Sequence, residues 1–384
     1  MTNNYISDKI KYIGVNDKEI ELFENQYILK NGMAYNSYLI MDEKIVIIDT
    51  VDKRKTNEWL ENLEKELQGK NPDYLIISHL EPDHSGSIDA LLKNYPNIQL
   101  ISNNKVFTML PQFIEEDFKG KEIIINEGDV IEVGEHKLTF IMTPMVHWPE
   151  SMMVYEQKEN ILFSADAFGK FGSLDVKEDW LDEARRYYIN IVGKYGMQVQ
   201  NVLKKAQNLD IKMICPLHGP ILKENLEYYI NLYDKWSKYE FEEEGILIIC
   251  GSLHGNTLNA AKKLKEDLIT KNKNVKLIDM STTPIPNAVS EAFKYSKMII
   301  ACSTYNMNIF PAVHSFLHLL KEKNYQKRKV GIIENGSWAP NAAICIKEML
   351  GLMQNVEIVE PIVTIKTTLN EESIKKMQEL EDNI

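Results

Sequence analysis

Residues 79–84, His-Leu-Glu-Pro-Asp-His, place two imidazoles and two carboxylates within six positions, directly after the apolar run Tyr-Leu-Ile-Ile-Ser. In an extended segment His79 and Glu81 point to one side. Pro82 then interrupts a regular strand, so Asp83 and His84 are expected to leave it in a loop and aim at a second point. Two pairs of ligands aimed at neighbouring points imply two metal ions, because several buried carboxylates are costly unless cations neutralise them. Three further candidates close apolar, strand-like runs elsewhere: His147 in TPMVHWPES, Asp166 in LFSADAFG and His218 in CPLHGP. A lone histidine or aspartate after a strand is ordinarily a satisfied polar residue or a turn former. The dense cluster at 79–84 is what singles these three out. By contrast His136 is expected in a turn, and His314 and His318, four apart on one helix, are expected to pack or face solvent.

A second constellation follows the apolar run at 246–250. Ser252, Leu253, His254, Gly255, Asn256 and Thr257 lead from a strand end into a helix. Ser252, Asn256 and Thr257 offer donors, Gly251 and Gly255 allow tight curvature, and a helix N-terminus favours an anion. The stretch has neither the Gly-Lys-Ser/Thr of a triphosphate loop nor the Gly-x-Gly-x-x-Gly of a dinucleotide loop, which leaves a monophosphate. Two later strand ends contribute Ser303, Thr304, Tyr305 and Asn306, and Asn335, Gly336, Ser337 and Trp338. Tyr305 and Trp338 are placed to flank a flat ring.

These residues need scaffolds. Across the first 220 residues, short β-branched runs bounded by turn residues alternate with helix-like segments near 54–69, 86–94 and 178–208, a pattern for a two-sheet α/β layer structure. From residue 246 strands and helices alternate strictly in five βα units, which describes an open, doubly wound parallel sheet. With strand order 2-1-3-4-5, the three loops of the second constellation would meet at its carboxyl edge. The boundary is expected near Gly245, giving domains 1–245 and 246–384.

The chain of 384 residues carries a net charge of −12, which opposes binding to nucleic acid. The N-terminus lacks the apolar core of a signal peptide, and no stretch approaches the roughly 18 apolar residues of a membrane helix. A cytoplasmic protein without a membrane partner is expected. Cys215, Cys250, Cys302 and Cys345 are scattered without a Cys-x-x-Cys pair and read as reduced thiols, mostly buried.

The motif His-x-Glu-x-Asp-His, followed by single His, Asp and His residues, resembles the di-iron site of flavodiiron proteins. Zinc hydrolases of the metallo-β-lactamase fold carry His-x-His-x-Asp-His instead; Glu81 replaces the second imidazole by a hard anionic oxygen, which suits iron in a redox role better than zinc. The loop Ser-x-x-Gly-Asn-Thr looks like the phosphate loop of flavodoxins. The resemblance implies an α/β chain: an N-terminal metallo-β-lactamase-like αββα sandwich, then a flavodoxin-like, doubly wound parallel five-stranded sheet. It implies that His79, Glu81 and His147 hold one iron, Asp83, His84 and His218 the other, with Asp166 bridging, and that FMN occupies the second constellation. The implied activity is reduction of O2 to water, of NO to N2O, or both, in a head-to-tail homodimer or dimer of dimers. No rubredoxin-like segment is expected within this chain, so electrons are expected from a separate rubredoxin or similar small carrier. Asn31 stands where family members often carry a histidine, and Trp148 and Tyr188 are expected at the pocket or in the core. The rival from another class is a zinc hydrolase of the same fold with a regulatory flavodoxin-like domain.

Overall fold

The computed structural model describes residues 6–384. They form two compact units, one running to Tyr188 and including Met197–Asp234, the other comprising Ile189–Gly196 and Lys235–Ile384.

In the first unit a six-stranded sheet holds Ile10–Tyr12, Tyr38–Met41, Ile45–Ile48, Tyr74–Ile76, Gln99–Ser102 and Glu122–Ile124 in that order. A five-stranded sheet runs Val130–Glu132, Lys137–Met142, Met152–Glu156, Ile161–Phe163 and Met213–Cys215. Alternation assigns the faces. Ile40, Ile48, Ile76 and Ile101 of one sheet share a core with Phe140, Met152, Val154 and Phe163 of the other. Their neighbours Leu39, Ile47, Leu75 and Leu100 are fully buried too, yet point the opposite way and so need the cover of helices such as Thr56–Leu67, whose Trp59, Leu63 and Leu67 are buried. The strands ending at Met142, Phe163 and Cys215 run in one direction, so the loops that follow them emerge at one edge.

The second unit is a parallel sheet in the order Val275–Asp279, Glu243–Gly251, Tyr295–Tyr305, Arg328–Asn335, Val356–Ile365, which is 2-1-3-4-5 by chain position. The central strands are apolar through their middles, at 246–250, 298–302 and 330–333, because helices cover both faces. Helices Asn256–Thr270, Ile285–Lys294, Pro311–Glu322, Ala342–Leu350 and Glu371–Asn383 complete the five units. Pro361 lies in an edge strand, where a missing donor is tolerated. The buried Arg328 guanidinium donates to the carbonyls of Tyr239 (2.8 Å), Tyr295 (2.9 Å) and Phe293 (3.0 Å), which ties the stretch after Lys235 to this unit. All four cysteines are free; Cys215, Cys250 and Cys302 are buried and Cys345 is half-buried. Among the described residues no helix is long and apolar enough to cross a membrane.

His136 lies in the expected turn, between the strands Val130–Glu132 and Lys137–Met142, but it is fully buried there, with Nδ1 2.6 Å from Asp42 Oδ2 and Nε2 3.3 Å from Glu159 Oε1. Asp42 also accepts from Lys9 Nζ (2.7 Å) and from the backbone N–H of Glu135 (2.8 Å) and His136 (3.1 Å). Burial opposes the Asp42 charge, but the Lys9 and His136 donors outweigh it and hold the carboxyl below its usual range. Asp42→Asn should therefore cost about 2 kcal/mol in urea unfolding at neutral pH. A depressed carboxyl stabilises above its unfolded value of about 4 and loses that contribution as pH falls towards the folded value, so parent and variant should converge in acid. An equal gap at about pH 7 and pH 3 would show that charge is not its source.

Candidate metal centre and cofactor cavity

All seven predicted ligands meet at the strand-end edge of the first unit. His79 and Glu81 follow the strand Tyr74–Ile76; Asp83 and His84 lie not in a loop but on a one-turn helix, Pro82–Ser85, with proline at its first position, where the missing N–H costs nothing. Two groups result: His79, Glu81, His147 and Asp166, and Asp83, His84 and His218, with ligand atoms within 4.8 Å of one another in each. Asp166 serves both. Its Oδ2 lies 3.3 Å from His79 Nε2 and 3.0 Å from His147 Nε2, while Oδ1 lies 3.2 Å from His84 Nε2 and 3.7 Å from His218 Nε2. Glu81 Oε2 is 3.0 Å from His147 Nε2, and Asp83 Oδ2 is 3.2 Å from His218 Nε2. Met145, Ala165 and Phe168, close in sequence to the ligands, hold positive φ of 66°, 49° and 67°, local strain that the surrounding fold sustains at the site.

The arrangement fits cations. Every ligand is buried, and His79 Nε2, both Asp83 oxygens, His84 Nδ1 and Asp166 Oδ1 have no hydrogen-bond partner among the described residues. Orphans of this number are what ions of a nitrogen- and oxygen-preferring metal would satisfy. Burial disfavours charged imidazoles, yet the carboxylates prevail: Asp83 and Asp166 push His84 up to about 9, and hydrogen bonds to Asp166 and Glu81 push His147 up to about 9. Burial works against Glu81 and Asp166 as well, but the histidines hold both below the carboxylate range. Protons here stand in for metal, and the two compete.

Several residues around the ligands escaped the sequence reading. Glu150 accepts from His79 Nδ1 (2.9 Å) and from Leu80 N–H (3.0 Å). His218 Nδ1 donates to the Ala34 carbonyl at 2.8 Å. Tyr187, not Tyr188, faces the centre: its ring lies 5.5 Å from that of His218, and its buried hydroxyl has no partner among the described residues. Tyr188 packs instead on Tyr233 at 4.9 Å. Tyr187 lies on the buried stripe of the regular helix Trp180–Tyr187 with Trp180 and Ala184. Trp148 does lie at the site, edge-on to His79 at 5.3 Å. Asn31 is bound elsewhere, donating to Glu178 Oε2 at 2.8 Å. The residue that reaches Glu81 is Glu24, an exposed side chain whose carboxyl is raised above its usual range by partial desolvation beside Glu81 and by the Glu81 charge.

The second constellation surrounds a cavity of about 430 Å³. Every predicted cofactor residue in 252–257, 303–306 and 335–338 lines it except Gly255, and Met307, Ala339 and Thr367 join them. Gly255 takes φ +91°, turning the chain into the helix Asn256–Thr270, whose N-terminus has no side-chain cap among the described residues. Thr257 Oγ1 is fixed by Ser303 Oγ at 2.8 Å. Trp338 is 91% exposed, an apolar face left without cover at the cavity's rim. Uncapped N–H groups at one end and exposed aromatic faces at the rim suit a flat, monophosphorylated ligand.

Residues 33–219 match the model of the ODP family beta lactamase. A protein of Methanocaldococcus jannaschii described as uncharacterised is 32% identical, with 97% of this chain and 96% of that protein aligned. The anaerobic nitric oxide reductase flavorubredoxin of Aliivibrio salmonicida is 28% identical over 87% of this chain and 69% of its own length. Among solved structures, the rubredoxin oxygen:oxidoreductase of Desulfovibrio gigas superposes with a TM-score of 0.92 at 24% identity, covering 99% of this chain and 97% of that one. A flavo di-iron protein variant from Thermotoga maritima gives 0.88 at 26% identity over 97% and 95%.

Proposed function

Because this chain belongs to the flavodiiron protein family, a family of oxidoreductases, we propose that it reduces O2 to water, NO to N2O, or both, at a di-iron centre held by the seven residues above. FMN is the ligand proposed for the 430 Å³ cavity, and rubredoxin or a similar small carrier the electron donor. In this reading residues 1–245 carry the metals and 246–384 the flavin, in a cytoplasmic head-to-tail homodimer or dimer of dimers. The observation that carries the reading is Asp166, with one oxygen facing each ligand group. A shared carboxylate keeps two ions within roughly 4 Å of each other, where both can engage one diatomic molecule.

Two irons would supply electrons as a pair, and the flavin would restore them singly or together. The chain's own residues prepare the site. Glu81 and Asp83 give each position an anionic oxygen, and Asp166 fixes their spacing. Tyr187 directs a hydroxyl at the ligand shell, and since burial and the nearby carboxylates hold it well above its usual range, it is a donor and not an anion. Phe23, 5.7 Å from His218, and Trp148 wall the centre with apolar surface.

The relatives differ in the substrate their names carry, O2 for the Desulfovibrio protein and NO for that of Aliivibrio. Purified protein, reduced without air and given separate pulses of O2 and NO, should lose its reduced-flavin spectrum as the gas is consumed, with about two irons per chain by metal analysis. Zinc in place of iron, with esterase or phosphodiesterase turnover, would establish the hydrolase instead.

A further inference from the structure

The two ligand groups are matched in their inner donors: each has two imidazoles and a carboxylate of its own, and each faces one oxygen of Asp166. Any difference between the ions they hold must arise from what stands behind the ligands. There the groups part. Behind His79 is a charge: Nδ1 donates to Glu150, a carboxylate only 1% exposed and anchored by the Leu80 N–H. Behind His218 is the neutral Ala34 carbonyl, and His84 Nδ1 has no partner among the described residues. Other charges nearby do not cancel the contrast. Asp49 bears on His79 and His84 alike, Glu24 lies on the Glu81 side with Glu150, and Arg54, near Asp83 on the cavity wall, is paired with Asp52 at 2.9 Å.

We propose that Glu150, acting through His79, sets the two metal positions at different reduction potentials. A carboxylate accepting the Nδ1 proton makes the imidazole a more basic, more electron-donating ligand, which favours the oxidised ion in its group. With iron bound, the His79 group would hold the ion that gives up the first electron and the His84 and His218 group the ion that gives up the second. Each step passes one electron to an added oxidant, makes and breaks no bond, and leaves the Nδ1 proton between His79 and Glu150. Glu150 is thus a positioning residue, and its role rests on the di-iron reading above.

The test is an anaerobic titration of the full-length, iron-loaded protein with dithionite and ferricyanide. The mixed-valent pair is followed by EPR in the parent, Glu150→Gln and Glu150→Asp. The parent should show a range of potential over which the one-electron state dominates. Glutamine keeps the shape but not the charge, and should lower the comproportionation constant of that state by about tenfold or more. Aspartate keeps the charge on a shorter stem, so its range should fall between the two. If Glu150→Gln does not retain iron, the aspartate variant decides, since its range must then be narrower than the parent's. Two irons per chain with an unchanged range in the variants, or no such range in the parent, overturns the inference and leaves the di-iron reading standing. A parent that takes up zinc or no iron overturns that reading and the inference with it.

Discussion

Asp166→Ala should slow reoxidation of the reduced flavin by NO or O2 at least about a thousandfold, because it removes the one group common to both metal positions. Its two oxygens lie 3.0–3.7 Å from four different imidazole nitrogens, so no other side chain can take its place. Alanine would leave each group two imidazoles and a single carboxylate, with less negative charge to draw a cation into a buried site and nothing to set the spacing. Iron content should fall below one per chain. The cavity proposed for FMN lies in the other compact unit, so FMN content and flavin reduction by dithionite should match the parent. Those controls separate a damaged metal centre from a misfolded chain. Asp166→Asn, similar in shape but uncharged, should fall almost as far. Reoxidation at the parental rate by either variant would mean that the seven residues are not the reaction site.

How far this site could be read in advance follows from where its residues lie. Ligands at strand ends announce themselves: a polar, metal-binding type closes an apolar run, and Pro or Gly follows, as at His147, Asp166 and His218. The parallel sheet of the second unit was equally open, because strict alternation of apolar runs and amphipathic segments admits few topologies. What stayed hidden depended on contacts between distant segments. Glu150 lies in the same loop as His147, yet nothing local says that it turns to His79, 71 positions away in sequence. His136 is the turn residue it looked like, but its burial was hidden because its partner Asp42 lies 94 positions away. Tyr187, by contrast, closes the regular helix Trp180–Tyr187 on the same buried stripe as Trp180 and Ala184, so a helical period pointed to it and not to its neighbour Tyr188. Thr367 reaches the 430 Å³ cavity from beyond the last strand, which no loop motif marked.

The largest effect expected in the second unit comes from a change of almost no volume, Asn256→Asp. Asn256 begins the helix that lines the cavity, and an acidic residue in the first turn of a helix is favourable towards its dipole. The variant without ligand should therefore be as stable as the parent or slightly more so. A phosphate in the same cradle would meet a carboxylate instead of an amide, losing a donor and gaining a like charge. At the effective dielectric of a protein surface, two such charges about 4 Å apart repel by about 4 kcal/mol, roughly a thousandfold in affinity. FMN should be absent from the purified variant and should rebind only at concentrations far above those that saturate the parent. Riboflavin, which lacks the phosphate, should bind parent and variant about equally. That comparison isolates the phosphate from the ring. If the variant keeps FMN at parental affinity, the loop at 252–257 is not the phosphate site.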